Sequence, residues 1–392
     1  MRGWMPALLV LLMTAGCASS DRSAGSAVPW PGAAWPISPP EAQGLSGPTL
    51  AALDAEFASG QHGYIDAMLV VRHGHAVLDR QYAQDYDRLF QEEGAARGPY
   101  NYHDPDWHPW HQRGDLHTLQ SVTKSVTSAL IGIAIGRGEI PGVEVPVLRY
   151  FDESTIAHVD ERKRRMTLRD LLTMTAGLKW DEDSLPYTDP ANPCAVMEAS
   201  DDWVRYVINR PMEHEPGKVF QYNSGASQIL AHILLRATGR QADDYAREHL
   251  FGPLGIDRFY WKRTPTGLPD TEGGLYLTRH DLARFGFLYL HDGVRAGRRI
   301  LPEGWVTESM QPRSDPDAGG SSGIKYGYQW WLIPYAQEGR FAFACLGYGG
   351  QRLLVVPEHD LVAVFNGWNI YDKPALDVQL ALDRVLAAVT GS

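Results

Sequence analysis

Ser121-Val122-Thr123-Lys124 opens a stretch that continues as Ser125-Val126-Thr127-Ser128-Ala129-Leu130-Ile131. Residues three apart on a helix share a face, so the Lys124 amine reaches the Ser121 hydroxyl. Serine alone is a poor nucleophile near neutral pH, because its hydroxyl gives up a proton too reluctantly to attack a carbonyl without a base beside it. Lysine serves as that base only where desolvation or neighbouring charge lowers its pKa. Val126, Ala129, Leu130, Ile133, Ala134 and Ile135 make the segment too apolar for a surface helix, which predicts a buried helix from Val122 to Gly136 or Gly138. Ser121 then stands at the helix N-terminus, where backbone N–H groups and the positive dipole end favour an oxyanion. The plainer use of the same residues is an N-cap on Ser121 with a solvated Lys124.

Two other segments carry complementary chemistry. Phe220-Gln221-Tyr222-Asn223-Ser224-Gly225 precedes a periodic helix with apolar Ile229, Leu230, Ile233 and Leu234 and a stop at Gly239. A tyrosine there is either a core residue or a hydroxyl delivered to a site. Gly347-Tyr348-Gly349-Gly350-Gln351 lies between the alternating Phe341-Ala342-Phe343-Ala344-Cys345 and the strand-like Arg352-Leu353-Leu354-Val355-Val356. Its glycines make a hairpin turn or let a ligand approach the backbone closely.

In the order S-x-x-K, Tyr-x-Ser, glycine-rich strand entrance, the chain resembles the serine β-lactamase and penicillin-binding-protein superfamily, nearest the lactamase-like esterases and the 6-aminohexanoate-oligomer hydrolases. The resemblance runs from about Leu45 to the C-terminus. It includes Thr167-Leu168-Arg169-Asp170-Leu171-Leu172, Glu215-Pro216-Gly217, and Gly274-Leu275-Tyr276-Leu277-Thr278-Arg279-His280-Asp281-Leu282-Ala283-Arg284-Phe285-Gly286. It implies that Ser121 is acylated and that Lys124 and Tyr222 share proton transfer. The oxyanion would be held by the backbone N–H groups of Ser121 and Gln351, with Ser224, Tyr348, Gly349 and Gly350 lining the substrate. Two departures matter. Tyr222-Asn223-Ser224 stands where most lactamases have Tyr-x-Asn, and Tyr348-Gly349-Gly350 where they have Lys-Thr-Gly. Loss of that lysine removes the partner of a substrate carboxylate and favours neutral esters or amides over β-lactams and peptidoglycan strands. Arg352 is expected to point to the opposite face of its strand from Gln351.

Gly319-Gly320-Ser321-Ser322-Gly323 matches the G-x-S-x-G nucleophile elbow, which needs a buried strand before it and a helix after it. Pro312, Asp315, Pro316 and Asp317 precede it instead, so a surface loop is expected and Ser321 is set aside.

Arg2, the apolar run Ala7 to Met13 and Thr14-Ala15-Gly16-Cys17 form a signal peptide too short to span a membrane as a helix. Its end resembles a lipobox, so Cys17 is the expected lipidation site. Residues 1–17 are then the leader, 18–44 a flexible tether, and 45–392 the hydrolase domain, with a helical lobe over about 121–270. The protein is placed on the periplasmic side of a bacterial envelope, or secreted if Cys17 carries no lipid. That compartment permits a disulfide between Cys194 and Cys345; two buried thiols are the alternative.

A net charge of −11 with a pI near 5.7 argues against a nucleic-acid partner. His103, His108 and His111 fall among Asp104, Asp106, Trp107 and Trp110, but no pair has metal-site spacing on a helix, so an aromatic rim over the cleft is expected rather than a metal. No cofactor is called for.

The order of elements predicts an α/β (α+β) fold. Pro48 to Ala58 reads as a helix, Asp66 to Arg72 and Ala76 to Tyr82 as a hairpin, Tyr326 to Leu332 and Phe341 to Phe365 as strands, and Ala375 to Val389 as a last helix. Strands from both ends then pair in one antiparallel sheet flanked by the terminal helices, with a mostly helical lobe inserted. Three functions fit: a serine hydrolase of neutral esters or amides, a β-lactamase or D-alanyl carboxypeptidase, and a catalytically silent binding or sensor protein of the same fold.

Overall fold

The computed structural model describes residues 30–93, 98, 101–102, 104, 111–336, 339–370 and 376–390. The proposed leader with Cys17, and His103, Trp107, His108 and Trp110, lie outside these residues.

Valine, leucine and alanine alternate with one another in both terminal thirds, and they build a seven-stranded antiparallel sheet buried on two faces. Its order is His75–Gln81, Ile65–Arg72, Leu361–Gly367, Gln351–Val356, Phe341–Gly347, Trp331–Pro334 and Lys325–Tyr326. Because successive side chains leave a strand on opposite sides, Met68, Val70, Leu354, Val356 and Phe365 face one way. They pack on Leu50, Leu53 and Phe57 of helix Gly47–Ala58 and on Leu382 and Val385 of helix Val378–Leu386. Leu69, Val71, Leu353, Val355 and Val364 face the other way, onto helix Arg279–Leu290 and the helical lobe. N- and C-terminal strands meet directly, Leu69 opposite Val364, as the sequence order required.

Helix Val122–Gly136 runs through the second core with residues 122 to 134 all buried, which accounts for its lack of a polar stripe. Helix Ser224–Thr238 packs against it, capped at its start by the Asn223 side chain on the Ala226 N–H and at its end by left-handed Gly239. A smaller four-stranded sheet includes Leu116–Thr118 and Leu275–Leu277, and it fixes the chain that enters the Ser121 turn.

One expectation is corrected. Trp30 to Gly44 is not a loose tether. Trp35 is buried with its indole N–H on the His280 carbonyl, Arg284 donates to the Gly32 and Ala33 carbonyls, Ile37 bridges Ala76, and Pro40–Gln43 forms a 3-10 turn. Burial of the Trp35 indole offsets part of the cost of ordering this segment. Among the described residues no helix is long and apolar enough to cross a membrane.

Candidate active site

Ser121 occupies the N-cap position of helix Val122–Gly136, but its side chain caps no backbone N–H. Its Oγ instead lies 2.8 Å from Lys124 Nζ, which donates to it. Lys124 is fully enclosed, so the solvated alternative is excluded. Its remaining donors go to the Glu272 carbonyl at 2.8 Å and the Glu272 carboxylate Oε2 at 3.3 Å. Burial is the largest single influence on Lys124 and pulls its pKa down, yet Tyr222, Glu272 and Glu182 together outweigh it and hold the amine above its ordinary value. The expected depression is therefore reversed: the acidic groups around it in a water-poor site stabilise the ammonium more than desolvation penalises it.

Tyr222 enters from the segment before helix Ser224–Thr238. Its ring stacks on Trp331 at 5.7 Å and faces Lys124 Nζ at 5.2 Å. Burial raises its phenol, while the Lys124 charge and hydrogen bonding to Ser121 and Lys124 act against the rise. Nucleophile, amine and phenol thus converge from two helix starts that are a hundred residues apart in sequence.

Ser224 is brought near but is not open to a ligand. Its N–H and hydroxyl both donate to Glu182, at 2.8 Å each, and Glu182 also accepts from the Trp180 indole and Tyr187 hydroxyl. It serves as a brace for the Tyr222 turn. Glu182 sits within Asp181-Glu182-Asp183, a run that reads as a solvated loop, and Glu272 within a polar turn ahead of two glycines. Nothing in their local pattern marks either as buried, and both were missed.

The glycine-rich segment lies at the end of a strand that reaches the Ser121 turn. The strand Phe341–Gly347 ends against the Ser121 turn: a Cβ on Gly347 would sit 2.3 Å from the Leu119 carbonyl. Gln351 lies across the hairpin from Gly347, on the next strand, and its side chain is spent on the Gly367 carbonyl and Asn366. The strand end at Gly347 therefore abuts the residue two before Ser121, with Gln351 paired directly across the hairpin from it. Gly349 and Gly350 make the turn with φ of 82° and 107°, and a Cβ on Gly349 would meet the Trp368 ring at 2.9 Å. The Tyr348 hydroxyl donates to the Ile370 carbonyl at 3.0 Å, and its ring lies against Tyr102 and Tyr187. Arg352 points away, as expected, onto the carbonyls of Gly347, Gln351 and Leu376, and burial lowers its pKa to about 10.

Cys194 and Cys345 are both free, buried thiols, which overturns the proposed disulfide. Cys194 belongs to helix Pro193–Glu198, whereas Cys345 faces Ser125 from the central sheet, and burial pushes both thiols up. Ser321 is exposed in a turn beside left-handed Gly319 and Gly323, with no strand before it. His111 meets His117 and Asp66, whose ligand atoms fall within 4.8 Å of one another. Asp66 accepts from Tyr86 at 2.6 Å and contacts His117 Nε2 at 2.8 Å, and His111 stacks on Trp368, so the group forms part of the wall beside the site. A groove of about 530 Å³ between Trp35, Asp79 and His280 is lined by neither Ser121, Lys124 nor Tyr222.

A seven-stranded antiparallel sheet with a serine–lysine pair at the head of a buried helix and a tyrosine facing it defines a class of proteins, and the chain matches the Beta-lactamase family over residues 54–374. It belongs to that family. It is 28% identical to the 6-aminohexanoate-dimer hydrolase of Paenarthrobacter ureafaciens over 298 residues, 69% of this chain and 73% of the relative. Its fold is similar to that of EstCE1, a hydrolase with promiscuous acyltransferase activity, at a TM-score of 0.64 and 16% identity, over 88% of this chain and 97% of the other. The D-stereospecific amidohydrolase from a Streptomyces species superposes at 0.60 with 16% identity, covering 86% and 98%.

Proposed function

We propose that this protein is a serine hydrolase that forms an acyl-enzyme on Ser121 and cleaves a neutral ester or amide. The observation that carries the reading is the 2.8 Å contact between Lys124 Nζ and Ser121 Oγ at the start of a buried helix. Ser121 Oγ attacks the acyl carbon as its proton passes into the Lys124–Tyr222 pair. The carbonyl oxygen takes the negative charge, facing the N–H of Ser121 and the N–H at the Gly347–Tyr348 strand end. Tyr222 returns a proton to the departing oxygen or nitrogen, and water then reverses the sequence to release the acid.

A neutral substrate is the reading that the surroundings of the strand end support. Tyr348 has committed its hydroxyl to Ile370, Arg352 has committed its guanidinium to three carbonyls, and Cys345 and Leu346, which precede Gly347, bear no charge. Among the described residues at this strand end a buried substrate carboxylate would meet no uncommitted cation, a deficit of about 2–5 kcal/mol. The printed names of the relatives, a dimer hydrolase, a hydrolase with acyltransferase activity and an amidohydrolase, support acyl transfer and hydrolysis as the reaction class.

The test is intact mass after exposure to a fluorophosphonate, together with turnover of short p-nitrophenyl esters. One adduct and measurable turnover are expected; absence of both overturns the reading. We further propose that a lipid on Cys17 holds the enzyme to the outer side of the bacterial cytoplasmic membrane or to the outer membrane. Cys17→Ala is expected to move it from the membrane to the soluble fraction, and an unchanged distribution would count against the anchor.

A further inference from the structure

Behind the Ser121–Lys124 pair lies an ionic cluster that the steps above leave unused. Glu272 contacts Lys124 through both its carbonyl and its carboxylate. Beyond it, Glu198, Asp270 and Glu272 bring carboxylate oxygens within 4.8 Å of one another. Lys262 Nζ sits 3.4 Å from Glu198 and 3.5 Å from Asp270, and Tyr102 donates to Glu198 at 2.8 Å. The Cys194 thiol and the Tyr276 phenol face the same cluster, and Glu182 acts on it from the Tyr222 side. The gap among these groups, about 10 Å³, has room for about one water.

Three carboxyls against two ammonium groups leave one negative charge in excess where little water can screen it. Such an excess is relieved by a proton held on a carboxyl. Burial raises Glu272 to about 7, with Lys124 acting against the rise, and raises Asp270 to about 6.

Building on Ser121 acylation, we propose that Glu272 is a positioning residue that accepts the resting proton of Lys124, so that Lys124 meets Ser121 as a neutral amine. The proton moves from Lys124 Nζ to Glu272 Oε2, leaving an amine and a carboxylic acid. The Ser121 hydroxyl proton then moves to Lys124 Nζ while Oγ bonds to the acyl carbon and the carbonyl electron pair moves onto oxygen. The proton count of the site is unchanged through both transfers. When Glu272 and Lys124 both carry protons the exchange is blocked, so activity requires the loss of one proton from the pair.

The experiment is the pH profile of kcat/KM for p-nitrophenyl butyrate in the unmodified protein, Glu272→Gln, Glu272→Asp and Glu198→Gln, with folding checked by circular dichroism. The unmodified rate should rise through about pH 7. In Glu272→Gln, Lys124 must lose its proton to solvent, and the midpoint should move up by about one unit or more with a plateau about tenfold lower. Glu272→Asp should keep the original midpoint. Glu198→Gln removes a neighbouring negative charge and should move the midpoint down, and this variant decides the matter if Glu272→Gln does not fold. A purely structural role lowers melting temperature without moving either midpoint, and that result overturns the proposal. If the unmodified protein labels with a fluorophosphonate and the midpoints stay fixed, only this inference fails. If it does not label, the Ser121 reading fails first and the inference with it.

Discussion

Lys124 and Lys163 are both enclosed by protein, and their surroundings differ in kind. Lys163, on the short helix Glu161–Arg165, donates to the carbonyls of Ala157, Ile208 and Arg210 at 2.7–3.0 Å. Burial lowers it to about 8, with Asp160 acting weakly the other way. Lys124 has one carbonyl, one carboxylate and one serine hydroxyl, and it ends above its ordinary value. Only carbonyl dipoles receive Lys163, whereas a carboxylate and a hydroxyl receive Lys124, which is the setting the proposed proton exchange requires. Burial alone does not distinguish the two.

The contrast is broken most severely by removing the hydroxyl. Ser121→Ala should abolish fluorophosphonate labelling altogether, whereas Ser321→Ala should leave it intact; labelling that survives loss of Ser121 would remove the site from this helix. Next come the lysines themselves. Lys124→Ala should lower kcat by roughly 10²–10⁴-fold while the folded protein persists. Lys163→Met should leave kcat near normal and cost about 1–3 kcal/mol in urea unfolding, since three buried carbonyls lose their donor. Tyr222→Phe should lower kcat by roughly 10²-fold, not additively with Lys124→Ala, because groups that act as a unit fail together. A wild-type kcat in that variant would return Tyr222 to the core.

A smaller effect separates the two lysine sites by pH. Asp270 lies in the Lys124 cluster with a folded pKa raised to about 6, above its unfolded value of about 4. The folded state therefore binds more protons between those values, and the contribution of Asp270 is destabilising above pH 6 and absent below about pH 4. Asp270→Asn should remove about 1–3 kcal/mol of that dependence, measured as the difference in unfolding free energy from the unmodified protein across pH 4–7. A parallel pair of curves would show that Asp270 stays ionised. Smallest is the substrate preference. p-Nitrophenyl butyrate should exceed a chromogenic cephalosporin in kcat/KM by about tenfold, near 1.4 kcal/mol. Cys345→Lys and Tyr348→Lys locate the missing cation, and the variant that narrows the gap identifies the position facing a substrate carboxylate.

The sheet, its pairing of chain ends and the buried helix behind Ser121 were legible because each depends on local pattern: short continuous apolar runs in Ile65–Arg72 and Leu361–Gly367, an unbroken apolar stretch in Val122–Gly136. The Ser121–Lys124 contact was legible for the same reason, since one helical turn fixes it. Glu272 and Glu182 were not, because each reaches the site from a loop whose own pattern is polar, and its burial is conferred by Lys124 in one case and by Ser224, Trp180 and Tyr187 in the other. The closing of the Gly347 strand end on Leu119 likewise depended on where a hairpin turns, a contact over two hundred residues long in sequence. By itself the sequence determined which residues could exchange a proton and which elements would carry them. Only the tertiary structure decided the charge they exchange it against, because electrostatic energy in a dry interior is set by distances between groups that no local pattern relates.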